Sequence, residues 1–415
     1  MSEWKSLSSI TSKIGSGSTP RGGNSVYSDS GISFIRSQNV LDMDFSTENL
    51  AFINDSQAEK LNNVIVEKND ILLNITGDSI ARCTVVPEEI LPARVNQHVS
   101  IIRCKNTEES KYVMYYLQYM KKYLLQISKV GGTRNALTKE AIGKLPIKIS
   151  DDCNKISKIL DNIDQKIQTN NQINQELEAM AKILYDYWFV QFDFPDQNGK
   201  PYKSSGGKMV YHPELKREIP EGWGVEKLGE LAQFKNGINY EKTSSGSEKV
   251  KIINVRNISS STIFINQTDL DEIFLENDKS TNFIVNEGMI LITRSGIPGA
   301  TRLVSELEAK TVYSGFIIAS EVNDLIYKNL IYYYLKNVEE VLKNQSAGTI
   351  MKNISQSVLT DMAVSLPPQN VLLKFNSIID DLLEQMKNVQ RQNQELTQLR
   401  DWLLPMLMNG QVKVE

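Results

Sequence analysis

The chain has 415 residues, 40% hydrophobic and 23% charged, with a net charge of −4. That composition excludes a disordered or fibrous chain and leaves length for two or more soluble globular cores. No apolar run approaches the roughly 18 residues of a membrane span. The N-terminus lacks the basic and apolar regions of a signal peptide, and three cysteines without a CxxC pair exclude a disulfide framework and a cysteine zinc site. A reducing cytoplasm is the natural compartment.

The first half opens with Trp4 and Leu7, followed by a glycine-rich turn, Gly15-Ser16-Gly17-Ser18-Thr19-Pro20. A β-type run, Ile32 to Ile35, ends in the polar pair Gln38-Asn39. A stronger strand signal, Asn69 to Leu73, empties into Thr76-Gly77-Asp78, and Val99 to Ile102 is the next strand. Tyr112, Tyr116, Tyr119, Tyr123 and Ile127 then share one helical face, which reads as core packing. The polar loop Gly131-Gly132-Thr133-Arg134-Asn135 and the pair Leu145-Pro146 lead into a long helix from Ile156 to Trp188. Its seam steps by alternating four and three residues through Ile156, Leu160, Ile163, Ile167, Asn170, Asn174, Leu177, Ala181, Leu184 and Trp188. That is the coiled-coil pattern.

Phe192 to Trp223 is dense in glycine, proline and serine and reads as a linker of ordered loops. The first half then repeats. Trp223 matches Trp4 at an offset of 219 residues, Ile290 matches Ile71, and Asn-Gln-Glu-Leu stands at both 174–177 and 393–396. Asn236-Gly237 is the second turn, and the strand Ile252 to Val255 ends in Arg256-Asn257. Gly288 to Ile292 empties into Arg294-Ser295-Gly296-Ile297-Pro298-Gly299, and Phe316 to Ile318 follows. Ile331, Tyr334, Val338 and Leu342 mark the second amphipathic helix, and Gly348-Thr349-Ile350-Met351-Lys352-Asn353 its loop. After Leu366-Pro367 a second seam runs through Phe375, Ile379, Leu382, Met386, Val389, Asn393, Leu396, Arg400, Leu403 and Leu407.

The expected fold is therefore α/β (α+β): two similar domains, each followed by a long helix, the helices packing as an antiparallel coiled coil with pseudo-twofold symmetry. The segments are a first domain at 1–150, its helix at 151–190 and a linker at 191–222. The second domain follows at 223–368, and a second helix with its tail at 369–415.

Catalytic motifs are missing. His98 and His212 lack HExxH or HxH spacing, no GxSxG elbow or GxxxxGK[ST] loop occurs, and no carboxylate pair is marked out. Pro367-Pro368 lacks the flanking residues of an amino-methyltransferase motif. No metal site and no catalytic residue is expected. What remains is a pair of polar loop sets rich in Arg, Lys, Asn and Gln, the side chains that bond base edges. The candidate DNA-binding residues in the first half are Thr19, Arg21, Arg36, Gln38, Asn39, Thr76, Arg82, Arg94, Asn96, Gln97, Thr133, Arg134 and Asn135. In the second they are Arg256, Asn257, Arg294, Ser295, Thr349, Lys352 and Asn353. The net charge is +3 over 1–150, −2 over 151–220, −4 over 221–368 and −1 over 369–415, so no segment is the basic footprint of a protein that grips DNA alone. Such loops would need local patches or a basic partner.

These features together resemble the specificity subunit of type I DNA restriction-modification systems. The resemblance rests on the linker from Phe192-Asp193-Phe194-Pro195 to Ile219-Pro220-Glu221-Gly222-Trp223, on Gly132-Thr133-Arg134 with Leu145-Pro146, and on the ending Trp402-Leu403-Leu404-Pro405 to Asn409-Gly410. It implies two target recognition domains that each read one part of a bipartite double-stranded DNA sequence. The helices would act as a ruler and dock two modification subunits, and restriction subunits would join that core. S-adenosylmethionine, ATP and Mg would all sit on those partners and no cofactor on this chain. The second half departs from the pattern: Gly348-Thr349-Ile350 lacks the arginine of its counterpart, and Ile238-Asn239-Tyr240 stands where the first half has Thr19-Pro20-Arg21. From the residues alone, a self-contained DNA-modifying enzyme and a coiled-coil scaffold without a DNA role stay open.

Overall fold

The structure, a computed structural model, describes residues 3–20, 26–129, 135–240, 246–267, 269–276, 280–348 and 353–414. It divides into two compact units, Met1–Asn170 with Gln392–Glu415, and Asn171–Arg391. Both division points fall inside the long helices, Cys153–Tyr185 and Gln369–Asn409. Each unit thus contains one sheet-and-helix globule and a stretch of both long helices.

The first unit has strands β1 (Glu3–Ser6), β2 (Thr11–Ser16), β3 (Ile32–Ile35), β4 (Ala51–Ile53), β5 (Ile65–Val66), β6 (Ile71–Asn74), β7 (Cys83–Val85), β8 (Ala93–Val95), β9 (Val99–Cys104) and β10 (Pro146–Ile149). They form one sheet in the order β2-β9-β6-β7, a second in the order β4-β3-β8-β5, and the pair β1-β10. Only β3 and β8 run parallel among these pairs. β6 is buried along its whole length because it has a core on each face. Ile71 and Leu73 point with Ile102 toward the helix Ser110–Tyr119, while Leu72 packs with Val99, Ile101, Phe34 and Val95. Alternation at period two divides one continuous apolar run between two layers.

The second unit begins its globule with a hairpin, β11 (Met209–His212) and β12 (Arg217–Pro220), then β13 (Gly224–Lys227), β14 (Ala232–Asn236), β15 (Glu248–Ile253), β16 (Asp271–Leu275), β17 (Ile290–Thr293), β18 (Thr301–Leu303), β19 (Thr311–Tyr313), β20 (Ile317–Val322) and β21 (Ala363–Leu366). The order β14-β20-β17-β18 repeats that of the first unit, and β16-β15-β19 repeats β4-β3-β8 with β15 and β19 parallel; at the place of β5 the described residues have only the isolated bridge of Ile284 to Val312. Ile290 and Ile292 face one core while Leu291 faces another, as in β6.

In the first unit Asp164 faces Arg400 and Asn170 faces Asn393, so numbers rise along one helix as they fall along the other. The two stretches are antiparallel. Leu160 and Leu407 are buried on this seam and Ile156 nearly so, whereas Ile163, Ile167 and Leu396 are half-buried. Asn170 Nδ2 donates to Asn393 Oδ1 (2.9 Å) and Gln392 Oε1 (3.4 Å), a polar layer that fixes register at some cost in stability. In the second unit Leu177, Ala181 and Trp188 share a core with Phe375, Ile379, Leu382 and Met386. There Asn174 is half-buried, and its Oδ1 has no hydrogen-bond partner among the described residues.

Four details differ from the sequence expectations. The run Ile252–Val255 is cut at Ile253, because Asn254 caps a short helix, Val255–Ser259. The tyrosine face is broken at Met120, and Tyr123 is exposed while Tyr112 and Tyr116 are buried. The linker contains the β11-β12 hairpin, and its Phe192 and Phe194 rings pack against Trp223 with centroids 5.3 and 5.1 Å away. Finally, Trp4 and Trp223 are not equivalent. Leu7 and Leu228 open matching helical turns, bonded to Leu145 O and Met362 O, so Trp4 on β1 aligns with Val225 on β13. Trp4 is 63% exposed, whereas Trp223 precedes its strand and is buried by the linker aromatics.

Candidate nucleic-acid interface

The loops that carry most of the candidate residues leave the sheets at one end of each unit, held by the same backbone bonds in both. Gly17 N–H donates to Val99 O (3.1 Å) and Gly237 N–H to Ile317 O (3.0 Å). Asn96 N–H donates to Ile35 O, and Ser314 N–H to Ile253 O, at 3.0 Å each. Ile75 N–H reaches His98 O (2.9 Å) and Arg294 N–H reaches Phe316 O (2.8 Å). Leu137 N–H closes on Ile75 O, and Ile354 N–H on Arg294 O, at 2.9 Å each. Five loops per unit therefore converge: those after β2, β3, β6 and β8 with the segment at 135–137, and those after β14, β15, β17 and β19 with the segment at 353–354.

Two glycine pairs make this convergence possible. A Cβ at Gly17 would fall on the carbonyl oxygens of Val95 and Asn96, and one at Gly237 on those of Tyr313 and Ser314. Gly77 (φ 78°) and Gly296 (φ 82°) take the left-handed backbone that reverses the loops after β6 and β17.

The structure separates the candidates by burial. Asn39 is fully buried; it accepts from Arg36 N (3.1 Å) and donates to Ser46 O (2.9 Å) and Glu48 O (3.3 Å). Asn257 does the same work in the second unit, accepting from Asn254 N (2.8 Å) and donating to Asp269 O (2.9 Å). Asn96 is buried and accepts from His98 N (3.0 Å). Arg94 lies beneath the surface, bonded to Ala58 O, Ala93 O and Asn62 Oδ1, and burial without a carboxylate pulls its pKa down. Expected as DNA contacts, these four residues instead hold the loops: Asn39 and Asn257 use both ends of the amide within the fold, Arg94 bonds through Nε and both terminal nitrogens, and Asn96 bonds through its Oδ1. Arg256 is exposed but paired with Asp271 (2.7 Å), which lowers its free charge.

The remaining described candidates lie at the surface. Thr19, Gln38, Gln97 and Asn135 are exposed, and Arg36, Thr76 and Arg82 half-buried. Arg36 donates to Asn49 O (2.5 Å) and sits 5.6 Å from the Tyr27 ring centroid. Thr76 Oγ1 and His98 Nδ1 are 2.6 Å apart, and Gln97 Nε2 is 3.3 Å from His98 Nε2, so the loops after β6 and β8 share a polar cluster. His98 was not among the candidates, and its position opposite Thr76 was invisible in the sequence. In the second unit Arg294 and Ser295 are half-buried and Asn353 exposed. Arg21, Thr133, Arg134, Thr349 and Lys352 lie outside the described residues. Among the described residues no group of acidic, histidine and cysteine side chains could hold a metal ion, and no helix is long and apolar enough to cross a membrane.

Comparison with known proteins bears on this arrangement. The family model for the type I restriction modification DNA specificity domain matches residues 1–179 and again 220–398. The specificity subunit of the type I restriction enzyme MjaIX from Methanocaldococcus jannaschii is 28% identical over 337 residues, covering 78% of this chain and 74% of that protein. The HindI specificity subunit from Haemophilus influenzae is 23% identical over 340 residues, covering 68% and 72%. A crystal structure of a type I restriction-modification system S subunit from M. genitalium shares the fold, with a TM-score of 0.53 at 14% identity over 98% of this chain and 96% of that one.

Proposed function

Because the chain belongs to the family of type I restriction-modification DNA specificity domains, we propose that each of its two loop ends reads one part of a bipartite DNA target. One observation carries this reading: a single backbone frame, bond for bond, is built twice and bears different side chains at its tips. Two equal surfaces would read a repeated word; two unlike surfaces on one frame suit two different words. Surface Gln, Asn and Arg supply the bidentate bonds that separate bases, and Thr and Ser the single ones.

Catalysis belongs, on this reading, to partners. Methyl transfer from S-adenosylmethionine to adenine would be carried out by two modification subunits, and ATP- and Mg-dependent cleavage by restriction subunits. The modification subunits dock on the long helices, where large apolar side chains are exposed in duplicate. Met180 and Ile183 in one unit, and Leu399 and Trp402 in the other, stand at the same steps of the duplicated helices, 219 residues apart, with their identities changed but their apolar character kept. Equivalent patches suit two copies of one partner.

The decisive experiment is methylation mapping. DNA exposed to the chain with its modification subunits should show methylated adenines in two defined sequence parts separated by a non-specific gap. A single contiguous motif, or methylation without sequence preference, would overturn bipartite reading. For docking, Ile183→Glu combined with Trp402→Glu should abolish co-purification of the modification subunits while leaving the thermal unfolding midpoint in place. Undiminished co-purification would remove the helices as the docking surface.

A further inference from the structure

On the reading of the loop ends as recognition surfaces, we propose that the second unit reads its part of the target through thymine methyl groups, with Phe316 and Ile297 as the contacts. The two units diverge most sharply at one turn. Val99 N–H bonds Asn96 O (3.3 Å) and Ile317 N–H bonds Ser314 O (2.9 Å), so each unit has the same four-residue reversal before its central strand. Its tip is Gln97-His98 in the first unit and Gly315-Phe316 in the second. The neighbouring loop behaves likewise: the residue after the left-handed glycine is Asp78 in the first unit and Ile297 in the second.

Phe316 is 62% exposed and Ile297 43% exposed. The fold does not require them to be apolar, since polar residues occupy both equivalent positions. Among the described residues Phe316 makes no ring contact. Its carbonyl accepts from Arg294 N, so the turn that carries Phe316 is held against the loop that carries Ile297. In the major groove the apolar group offered by a base edge is the C5-methyl of thymine, and Phe is among the side chains that meet it. The first unit offers hydrogen-bonding groups at the same places, so the two parts of the target would be read by different chemistry.

Deoxyuridine, which lacks only that methyl group, gives the test. The complex of full chain and modification subunits is titrated with duplexes carrying deoxyuridine for thymine, one position at a time. At one or more thymines in the part read by the second unit, affinity should fall roughly five- to tenfold, the scale of a lost apolar base contact. Phe316→Ala should lose a similar amount and no longer distinguish the two bases, while Phe316→Leu should still distinguish them. Deoxyuridine tolerated at every position by the unaltered complex, or no thymine on either strand of that part, overturns the proposal with bipartite reading intact. The absence of any bipartite motif would instead refute the broader reading.

Discussion

Gly17→Ala is expected to remove recognition of one part of the target and leave the other part intact, and Gly237→Ala to do the reverse. The reason is backbone against backbone. A methyl group at Gly17 would overlap the Val95 and Asn96 carbonyl oxygens, and neither can rotate away as a side chain would. Relief requires moving the loop after β2 off the turn at Asn96–Val99, two of the five elements that converge in that unit. Overpacking of this kind costs about 1–3 kcal/mol in a side-chain core, and a rigid carbonyl contact lies at the upper end of that range. Loss of geometry matters more than loss of stability, since base contacts depend on register within a fraction of an ångström. Methylation mapping with each variant reads the outcome as one degenerate half-motif beside one unchanged half-motif. If both halves degrade equally in either variant, the loops do not read separate parts. A thermal melt of each variant distinguishes that result from global unfolding.

The same glycines show how much was legible beforehand. Their positions, the apolar runs of β6 and β17 and the two heptad seams were visible because backbone demands and period-two or period-3.5 burial leave direct marks in sequence. The recognition candidates were harder, because residue type alone does not separate the base of a loop from its tip. Asn39 and Asn257 are candidates as base-reading side chains in loops, and they stand at equivalent places. Yet the match reflects a shared structural duty, each bonding the backbone of its own loop. Arg94 was chosen as a cation and is buried. In a duplicated chain, residues that differ between the copies on a common frame are the better signal for reading. His98 and Phe316 meet that criterion, and neither had been chosen. The Trp4–Trp223 match failed for another reason: the offset is not constant along the chain. It is 221 at Leu7 and Leu228, 220 at Gly17 and Gly237 beyond the bulge between Thr11 and Lys13, and 219 at Ile71 and Ile290.

Arg400→Met should destabilise the first unit by about 3–5 kcal/mol, the cost of stranding a buried charge. Arg400 Nη1 lies 2.8 Å from Asp164 Oδ1, the two side chains are only 13% and 11% exposed, and Tyr115 donates to the second carboxylate oxygen at 2.6 Å. At roughly 2–4 °C per kcal/mol for a domain of this size, the melting midpoint should fall by on the order of 10 °C. Burial already raises the Asp164 carboxyl above its ordinary range, against the opposing pull of Tyr115 and Arg400. Removing the guanidinium raises it further. A group whose folded pKa is raised contributes stability that is present at low pH and lost as pH rises through the folded value. The deficit of Arg400→Met should therefore be full near neutrality and shrink on acidification as Asp164 takes up its proton. A deficit that is independent of pH would mean that lost packing of the arginine stem, and not the stranded carboxylate, dominates. The second unit shows that the duplicated helices do not need this pair. At the 219-residue offset its positions are Leu383 and Ala181, both buried in one apolar core. The triple variant Asp164→Leu, Arg400→Ala, Tyr115→Phe removes all three polar partners together, so it should recover most of the stability that Arg400→Met loses. Recovery would place the Tyr115–Asp164–Arg400 cluster among features that specify which helix stretches pair, since two copies with identical seams could exchange partners and these two cannot.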